Sequence, residues 1–200
     1  CYYLNKKQQL PFVDAKIAIS KDFYTINKNS KWITNLRSRR VSHLIRSKYD
    51  AIISTSKSIN KDNSLLNCRI KGLNNFKPDL IIIDRNLKLK KNLKLFKIAK
   101  KRKTYIFTII KDDKKTSFFK KKNIKIIKID RLENKDDFMN LLKKIFKIGN
   151  RRVLIEAGLV FLNNFFKLKL INNLYVFKSD KKLKNNGYNN ESNYFINKIK

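Results

Sequence analysis

Glycine, proline, cysteine and histidine are scarce in this chain of 200 residues, at four, two, two and one. Each shortage excludes something. There is no G-x-G-x-x-G turn and no phosphate-cradling P-loop, so neither a standard dinucleotide fingerprint nor a nucleotide triphosphatase is supported. One His and two unclustered cysteines, Cys1 and Cys68, are too few soft ligands for a structural zinc site, and no metal is expected. The same cysteine usage fits a reduced, cytoplasmic compartment. Long apolar runs are missing as well. Blocks such as Leu80-Ile81-Ile82-Ile83 fall far short of the roughly 18 to 20 apolar residues of a membrane span. The opening CYYLNKKQQL has no apolar signal region. The chain starts at Cys1 rather than Met and reads as a segment cut from a longer protein.

Acidic residues are the other shortage. Fifteen Asp plus Glu stand against 49 Lys plus Arg, a formal net charge of +34. Charge of that size points first to nucleic acid. Nucleic-acid binders, however, concentrate basic residues on one face or arm and use Arg for forked contacts. Here 39 Lys outnumber 10 Arg, and the lysines are spread along the whole chain. Asn, at 25, and Ile, at 26, are equally inflated. Lys, Asn, Ile, Phe and Tyr share A/T-rich codons, whereas Gly, Pro, Ala and Arg are mostly G/C-rich. Codon drift in an A/T-rich genome accounts for this pattern, charge included, and argues against nucleic acid as the partner. A selected polyanion-binding role is the alternative. In either case the field draws in anions, phosphorylated small molecules among them.

What is present is a folding composition, 42% hydrophobic. Residues 12–20 alternate apolar and polar as a strand does, and Ala51-Ile52-Ile53, Leu80 to Asp84, Tyr105 to Ile110, Ile124 to Ile129, Arg152 to Ile155 and Leu174 to Phe177 read as further strands. Thr34 is the expected N-cap of a helix running to about Tyr49, with Leu36, Val41, Leu44 and Ile45 as its apolar stripe. Ser54 to Asn63 reads as a polar loop. Helices are expected from Lys135 to Ile148, with Phe138, Leu141, Leu142, Ile145 and Phe146 on one face, and from Leu159 to Phe166. Strands alternating with helices imply an α/β domain with a mainly parallel central sheet flanked by helices.

Ligands of open α/β sheets bind outside the carboxyl ends of the strands. The segments at such ends are Lys16 to Ser20, Ser30 to Thr34, Ser54 to Ser58, Asp62 to Arg69 and Glu156 to Gly158. Gly158 opens a helix whose first N–H groups and dipole suit an anion, although a plain strand-to-helix turn reads the same way. Arg46 and Arg69 stand out in a chain that defaults to Lys, as forks for a phosphate or as ordinary surface arginines. Asp62 and Glu156 are carboxylates at loop or strand ends, able to bond a sugar hydroxyl or to cap a helix. Trp32 is the one Trp, suited to core packing or to flanking a ring. His43, within a helix, reads as a surface or packed residue, and no catalytic triad assembles around it.

In order and spacing, Lys16-Ile17-Ala18-Ile19-Ser20-Lys21-Asp22, Ser30 to Thr34, Leu44-Ile45-Arg46, Asp50-Ala51-Ile52, Asp62 to Arg69 and Ile155-Glu156-Ala157-Gly158 resemble the reductase domain of the bifunctional riboflavin-biosynthesis deaminase/reductase. The resemblance covers about residues 11–178. It implies a dihydrofolate-reductase-like fold and NADPH-dependent reduction of the ribosyl chain of 5-amino-6-(5-phosphoribosylamino)uracil to a ribityl chain. Carried over by position, Lys16, Asp62 and Glu156 become the catalytic group, with Lys16 as proton donor. Ser30, Ile33, Thr34, Arg46, Leu66, Arg69 and Glu156 become substrate ligands, the two arginines serving the phosphate. Ala18, Trp32, Ser58, Asp62 and Gly158 fall on the cofactor side. The resemblance further implies a zinc deaminase domain linked upstream and, by analogy, a homodimer. Residues 1–178 would form the reductase domain, and 179–200 a polar Lys/Asn-rich C-terminal segment. The sequence departs from the family pattern where Phe23 replaces a Gly after Asp22, where Ser64 replaces a Pro, and where Asn172-Asn173 replaces Asp-Glu. Two other readings stand beside this one: a decayed reductase with a structural role, and the polyanion binder.

Overall fold

Runs of β-branched residues become strands where both faces can be buried, as Ile52-Ile53 and Ile81-Ile82-Ile83 do here. The computed structural model describes residues 2–73, 77–110, 112–189 and 194–199. Its elements are α1 (Tyr2–Lys6), β1 (Phe12–Ile19), β2 (Ile26–Asn27), α2 (Leu36–Arg46), β3 (Ala51–Thr55), α3 (Ser56–Asp62), β4 (Asp79–Ile83), β5 (Thr104–Thr108), α4 (Asp113–Lys121), β6 (Ile124–Lys128), α5 (Lys135–Lys147), β7 (Arg152–Ile155), α6 (Leu159–Lys167), β8 (Asn173–Lys178), β9 (Gly187–Tyr188) and α7 (Tyr194–Ile199).

Seven strands form one sheet in the order β6-β5-β4-β3-β7-β1-β8. Its neighbouring strands pair in parallel throughout. The chain leaves β1 for β3, winds outward through β4, β5 and β6, and returns to insert β7 between β3 and β1. That insertion puts the carboxyl ends of β1, β7 and β3 side by side, where the winding reverses and ligands of such sheets bind.

Side chains alternate across the strands and feed two cores. Val13, Ala15, Ile17, Ile19, Ile53 and Ile155 meet Phe138, Leu141, Ile145, Leu162 and Phe165 of α5 and α6. Ile52, Leu80, Ile82, Ile106 and Leu154 meet Ile45 of α2, Ile59 of α3 and Phe119 of α4. By the same alternation Asp14, Lys16 and Ala18 share the face of β1 opposite the α5–α6 core.

Three expectations need correction. The cap of α2 is Asn35, whose side chain accepts from Ser38 N–H, and not Thr34. The stripe assigned to that helix faces solvent: Leu36, Val41 and Leu44 are 76%, 38% and 40% exposed, and Ile45 alone of the four is buried. The Ser54 to Asn63 stretch is largely helix α3, capped by Thr55. Its polar sequence hides it, because Ile59 is the one buried residue it needs.

The Lys/Asn-rich stretch beyond Lys178 folds back onto the domain. Phe195 and Ile196 are buried in the larger core, and β9 pairs with β2. Asp22 binds the backbone N–H groups of Leu183 and Lys184 and accepts from Ser20 Oγ. Burial would raise its carboxyl, but these bonds win and lower it to about 2. Phe23, standing where the family resemblance places glycine, adopts φ 65°, a left-handed conformation uncommon for a bulky residue. Asn172 and Asn173 tie the start of β8 to β1: Asn172 Oδ1 accepts from Val13 N–H at 2.8 Å and Asn173 Nδ2 donates to Asp14 at 3.0 Å.

Candidate functional site

At the carboxyl ends of β1, β7 and β3 the strand ladder delivers a lysine and a glutamate to the α2 side of the sheet. The N–H of Glu156 still donates to Ile53 O at 2.9 Å, so the β3–β7 register carries through to the residue past the strand. Arg46, in the last turn of α2, reaches Glu156 with both prongs: Nε to Oε1 at 2.5 Å and Nη2 to Oε2 at 2.9 Å. The two side chains are 12% and 9% exposed, so this pair is almost entirely removed from water.

That enclosure sets the electrostatics. Burial would push the Glu156 carboxyl up, but the Arg46 guanidinium, its hydrogen bonds and Lys16 outweigh burial and hold the carboxyl below its usual range. Glu156 is therefore an ionised acceptor. Burial pushes the Lys16 ammonium down, Glu156 pulls it up and Arg46 adds to the lowering, and the result is below its ordinary value. Lys16 Nζ also lies over the Phe177 ring, 5.2 Å from its centroid. A lysine so placed gives up a proton more readily than one in water.

The third nitrogen of Arg46, Nη1, donates to Asn67 O at 3.1 Å. Arg46 is thus held within the protein through all three nitrogens. Arg69 is not: it is exposed, and its Nη2 lies 3.2 Å from Nε2 of His43. The two arginines read together as phosphate forks are therefore engaged differently, one locked to a carboxylate and one facing an open groove of about 370 Å³ lined by Arg39, Arg40, His43 and Lys71 among others. Leu66 is buried with φ 50°. Its carbonyl and that of Leu65 accept from Arg102 at 3.0 Å and 2.6 Å, which braces the loop between Asp62 and Arg69.

The remaining sequence-predicted residues lie around this centre. Ala18 follows Lys16 on the same face of β1. Ser58, in the first turn of α3, accepts from Gly158 N–H at 3.0 Å and so ties α3 to the turn that starts α6. A Cβ at Gly158 would meet that hydroxyl at 3.4 Å. Asp62 ends α3. Burial raises its carboxyl against the pull of Lys31 and Lys61, and its backbone carbonyl accepts from Lys31 Nζ. Ser30, Ile33 and Thr34 belong to the loop before α2. Ser30 Oγ accepts from Trp32 N–H at 3.2 Å, and the Thr34 carbonyl accepts from Arg39 at 3.1 Å. Trp32 is 50% exposed and stacks under the Arg39 guanidinium at 4.5 Å. Among the described residues no group of three or more His, Cys, Asp or Glu gathers as a metal site would need, and no helix is long and apolar enough to cross a membrane.

Sequence reasoning passed over His43, Arg39, Asn67 and Arg102. His43 carried a usable signal: it stands three positions before Arg46 on one helix, so both project from the same face. Arg102 carried none, since only the fold brings it under a loop so distant in the chain.

Residues 11–179 match the model of the RibD C-terminal domain. The chain belongs to that family. It is 31% identical over 186 residues to the riboflavin biosynthesis protein RibD of Buchnera aphidicola subsp. Baizongia pistaciae, covering 88% of this chain and 50% of that protein. It is 30% identical over 166 residues to the 5-amino-6-(5-phosphoribosylamino)uracil reductase of Buchnera aphidicola subsp. Acyrthosiphon pisum, covering 78% and 77% respectively. Among solved structures, RibD of Acinetobacter baumannii superposes with a TM-score of 0.78 at 20% identity, over 95% of this chain and 52% of that one. The chain thus spans about half the length of the RibD relatives it matches. The fold is the dihydrofolate-reductase-like one that the resemblance implied, its central sheet parallel and flanked by helices. In this chain the Phe23 loop is tied to the C-terminal segment, by Asp22 to Leu183 and Lys184 and by Asn189 to the Phe23 carbonyl.

Proposed function

We propose that this chain reduces the ribosyl side chain of 5-amino-6-(5-phosphoribosylamino)uracil to the ribityl chain, in riboflavin biosynthesis, with NADPH as reductant. The observation that carries the reading is a half-buried Lys16 beside the Arg46–Glu156 pair at the meeting point of β1, β7 and β3. The membership of the chain in the RibD C-terminal domain family supports it.

The nicotinamide, when bound, supplies the hydride that reaches the anomeric carbon of the sugar. Lys16 gives its proton to the ring oxygen as the bond between that oxygen and the anomeric carbon breaks, and the open ribityl chain results. Glu156, held ionised by Arg46, accepts from hydroxyl or ring N–H groups and fixes the sugar against Lys16. Arg69 meets the phosphate, and Ser30, Ile33, Thr34, Arg46 and Leu66 frame the rest of the substrate. On the cofactor side are Ala18, Trp32, Ser58, Asp62 and the turn at Gly158. That side fits a dinucleotide: helix α6 begins at Leu159 with no side-chain cap at Gly158, and the positive end of its dipole suits a pyrophosphate.

In this reading residues 1–178 are the reductase domain, and the segment after them closes the loop at Phe23. A deaminase domain linked upstream, a homodimer and a cytoplasmic setting belong to the same proposal, as does NADPH in preference to NADH.

The experiment is turnover of the dephospho-free, phosphorylated substrate with NADPH, followed by loss of nicotinamide absorbance, alongside thermal unfolding with and without NADPH. A folded chain with no thermal shift at saturating NADPH and no turnover would refute the reading and favour a decayed reductase.

A further inference from the structure

His43 is the one histidine of the chain, and it sits between the two arginines of the site. Its Nδ1 lies 2.8 Å from Asn67 O. A carbonyl only accepts, so the proton is on Nδ1. Nε2 then carries the lone pair, and it faces the Arg69 Nη2 donor at 3.2 Å. The Arg69 backbone N–H also approaches Nδ1, at 3.2 Å, as Arg46 Nη1 does at 3.5 Å. With Nδ1 protonated these approaches are contacts between donors, and the shorter carbonyl bond decides the tautomer. One neutral form satisfies both ring nitrogens. An imidazolium keeps the bond to Asn67 but turns an N–H against the guanidinium.

The charges around the ring favour the neutral form. Burial lowers its basicity first, then Arg46 from its own helix and Arg69 from the loop, against the Asn67 carbonyl and Glu156 beyond β7. Arg39, Arg40 and Lys71 line the same groove and add positive charge.

We infer that His43 is a positioning residue for Arg69: its neutral ring accepts from Nη2 and aims the rest of the guanidinium fork into the groove, toward the anionic end of the substrate. The inference rests on the assignment of Arg69 to the substrate phosphate made above. An exposed arginine loses side-chain freedom when it binds, and a preset orientation removes part of that loss. Arg46 needs no such help because Glu156 holds it. Protonation at Nε2 breaks the bond and releases Arg69. The extra positive charge pulls the other way, toward a phosphate, but it acts through screened solvent at the groove mouth, whereas the lost hydrogen bond is direct.

The test compares His43→Ala, His43→Gln and Arg69→Ala with the wild type in steady-state kinetics. Gln offers an acceptor oxygen and does not titrate. His43→Ala is expected to raise KM about three- to tenfold, the worth of one net hydrogen bond, with kcat unchanged. His43→Gln is expected to restore most of the loss. The substrate phosphate itself titrates near pH 6, so the readout is the ratio of wild-type KM to His43→Gln KM. That ratio should climb as pH falls from about 8 to about 5.5. A flat or falling ratio, or a wild-type KM in His43→Ala, overturns the positioning role. If His43→Ala does not fold, His43→Met takes its place, similar in bulk and without the acceptor. Should Arg69→Ala also leave KM unchanged, the phosphate assignment fails; if only the His43 variants are silent, the positioning role fails alone. The same variants are titrated with ribose 5-phosphate, which carries the anionic end without the base. A wild type that binds ribose 5-phosphate but does not reduce substrate would separate loss of the proposed reaction from loss of the anion site.

Discussion

Arg46 and Glu156 stand 110 positions apart and close a two-pronged ion pair almost out of contact with water. Two charges buried in this way hold the end of α2 against the turn after β7. They also create the field in which Lys16 sits.

Breaking that pair should be costly. Glu156→Gln leaves a buried guanidinium facing a neutral amide, and such losses run to about 3 to 5 kcal/mol. Urea denaturation of the variant near neutral pH measures it. The pH dependence has a definite sign. Because the folded carboxyl lies below its ordinary 4.5, its contribution is complete above that value and is lost as pH falls through the folded pKa. The stability difference between wild type and Glu156→Gln should therefore shrink as the solution is acidified below about pH 4.5. A difference that stays constant to low pH would show that Glu156 is not ionised by Arg46.

Lys16 should govern the alkaline limb of activity. A general acid must hold its proton, so the rate falls as pH rises through the pKa of this lysine, which lies below the ordinary 10.5. Lys16→Met is expected to lower kcat by about 10² to 10⁴ while leaving substrate affinity nearly intact. Glu156 is the group that raises the Lys16 pKa, so any residual activity of Glu156→Gln should show its alkaline limb at lower pH than the wild type. An unmoved limb would separate Lys16 from the proton transfer.

The strands were legible in the sequence because Ile-rich runs such as Ile81-Ile82-Ile83 need burial on both faces, and only a parallel sheet with two helical layers provides it. Helix α2 was legible as a helix but not in its facing. Leu36, Val41 and Leu44 look like a stripe, yet the helix turns Ile45 to the core and Arg46 to Glu156. Helix α3 was invisible because a short helix with one buried residue has no period to detect. Within the site, Lys16, Arg46 and Glu156 could be named from family pattern, and the sheet order brings them together. Whether Arg46 or Arg69 stays free could not be read, since that depends on which arginine Glu156 captures.

Arg102 should matter out of proportion to its distance from the chemistry. It is 6% exposed, and among the described residues no carboxylate forms an ion pair with it. Its guanidinium instead donates to the carbonyls of Pro78, Leu65, Leu66 and Asp79. Arg102→Met would leave those acceptors without their donor, at about 1 to 3 kcal/mol for each one that water does not reach. The loop carrying Leu66 and Arg69 should loosen with it. Hydrogen exchange across residues 63–69 is expected to speed up in the variant, and KM to rise more than kcat falls. Unchanged exchange in that loop would mean that the brace is not needed.

Gly187 should be the most sensitive point of the C-terminal segment. A Cβ added there would run into the Tyr24 ring, well inside contact distance. Tyr24 belongs to the loop that Phe23 and Asp22 shape, and β2 pairs with β9 just beside it. Gly187→Ala therefore has to push the ring or the tail away, and overpacking of this kind costs about 1 to 3 kcal/mol. Limited proteolysis of residues 179–189 should become faster. Tyr24→Ala removes the obstructing ring, so the double variant Tyr24→Ala/Gly187→Ala should be less destabilised than the sum of the two single changes. Strict additivity would show that the tail and the loop do not press on each other at this point. In that case the closure of the altered loop would have to come from hydrogen bonds, those of Asp22 to Leu183 and Lys184 and of Asn189 to Phe23 and Thr25 among them.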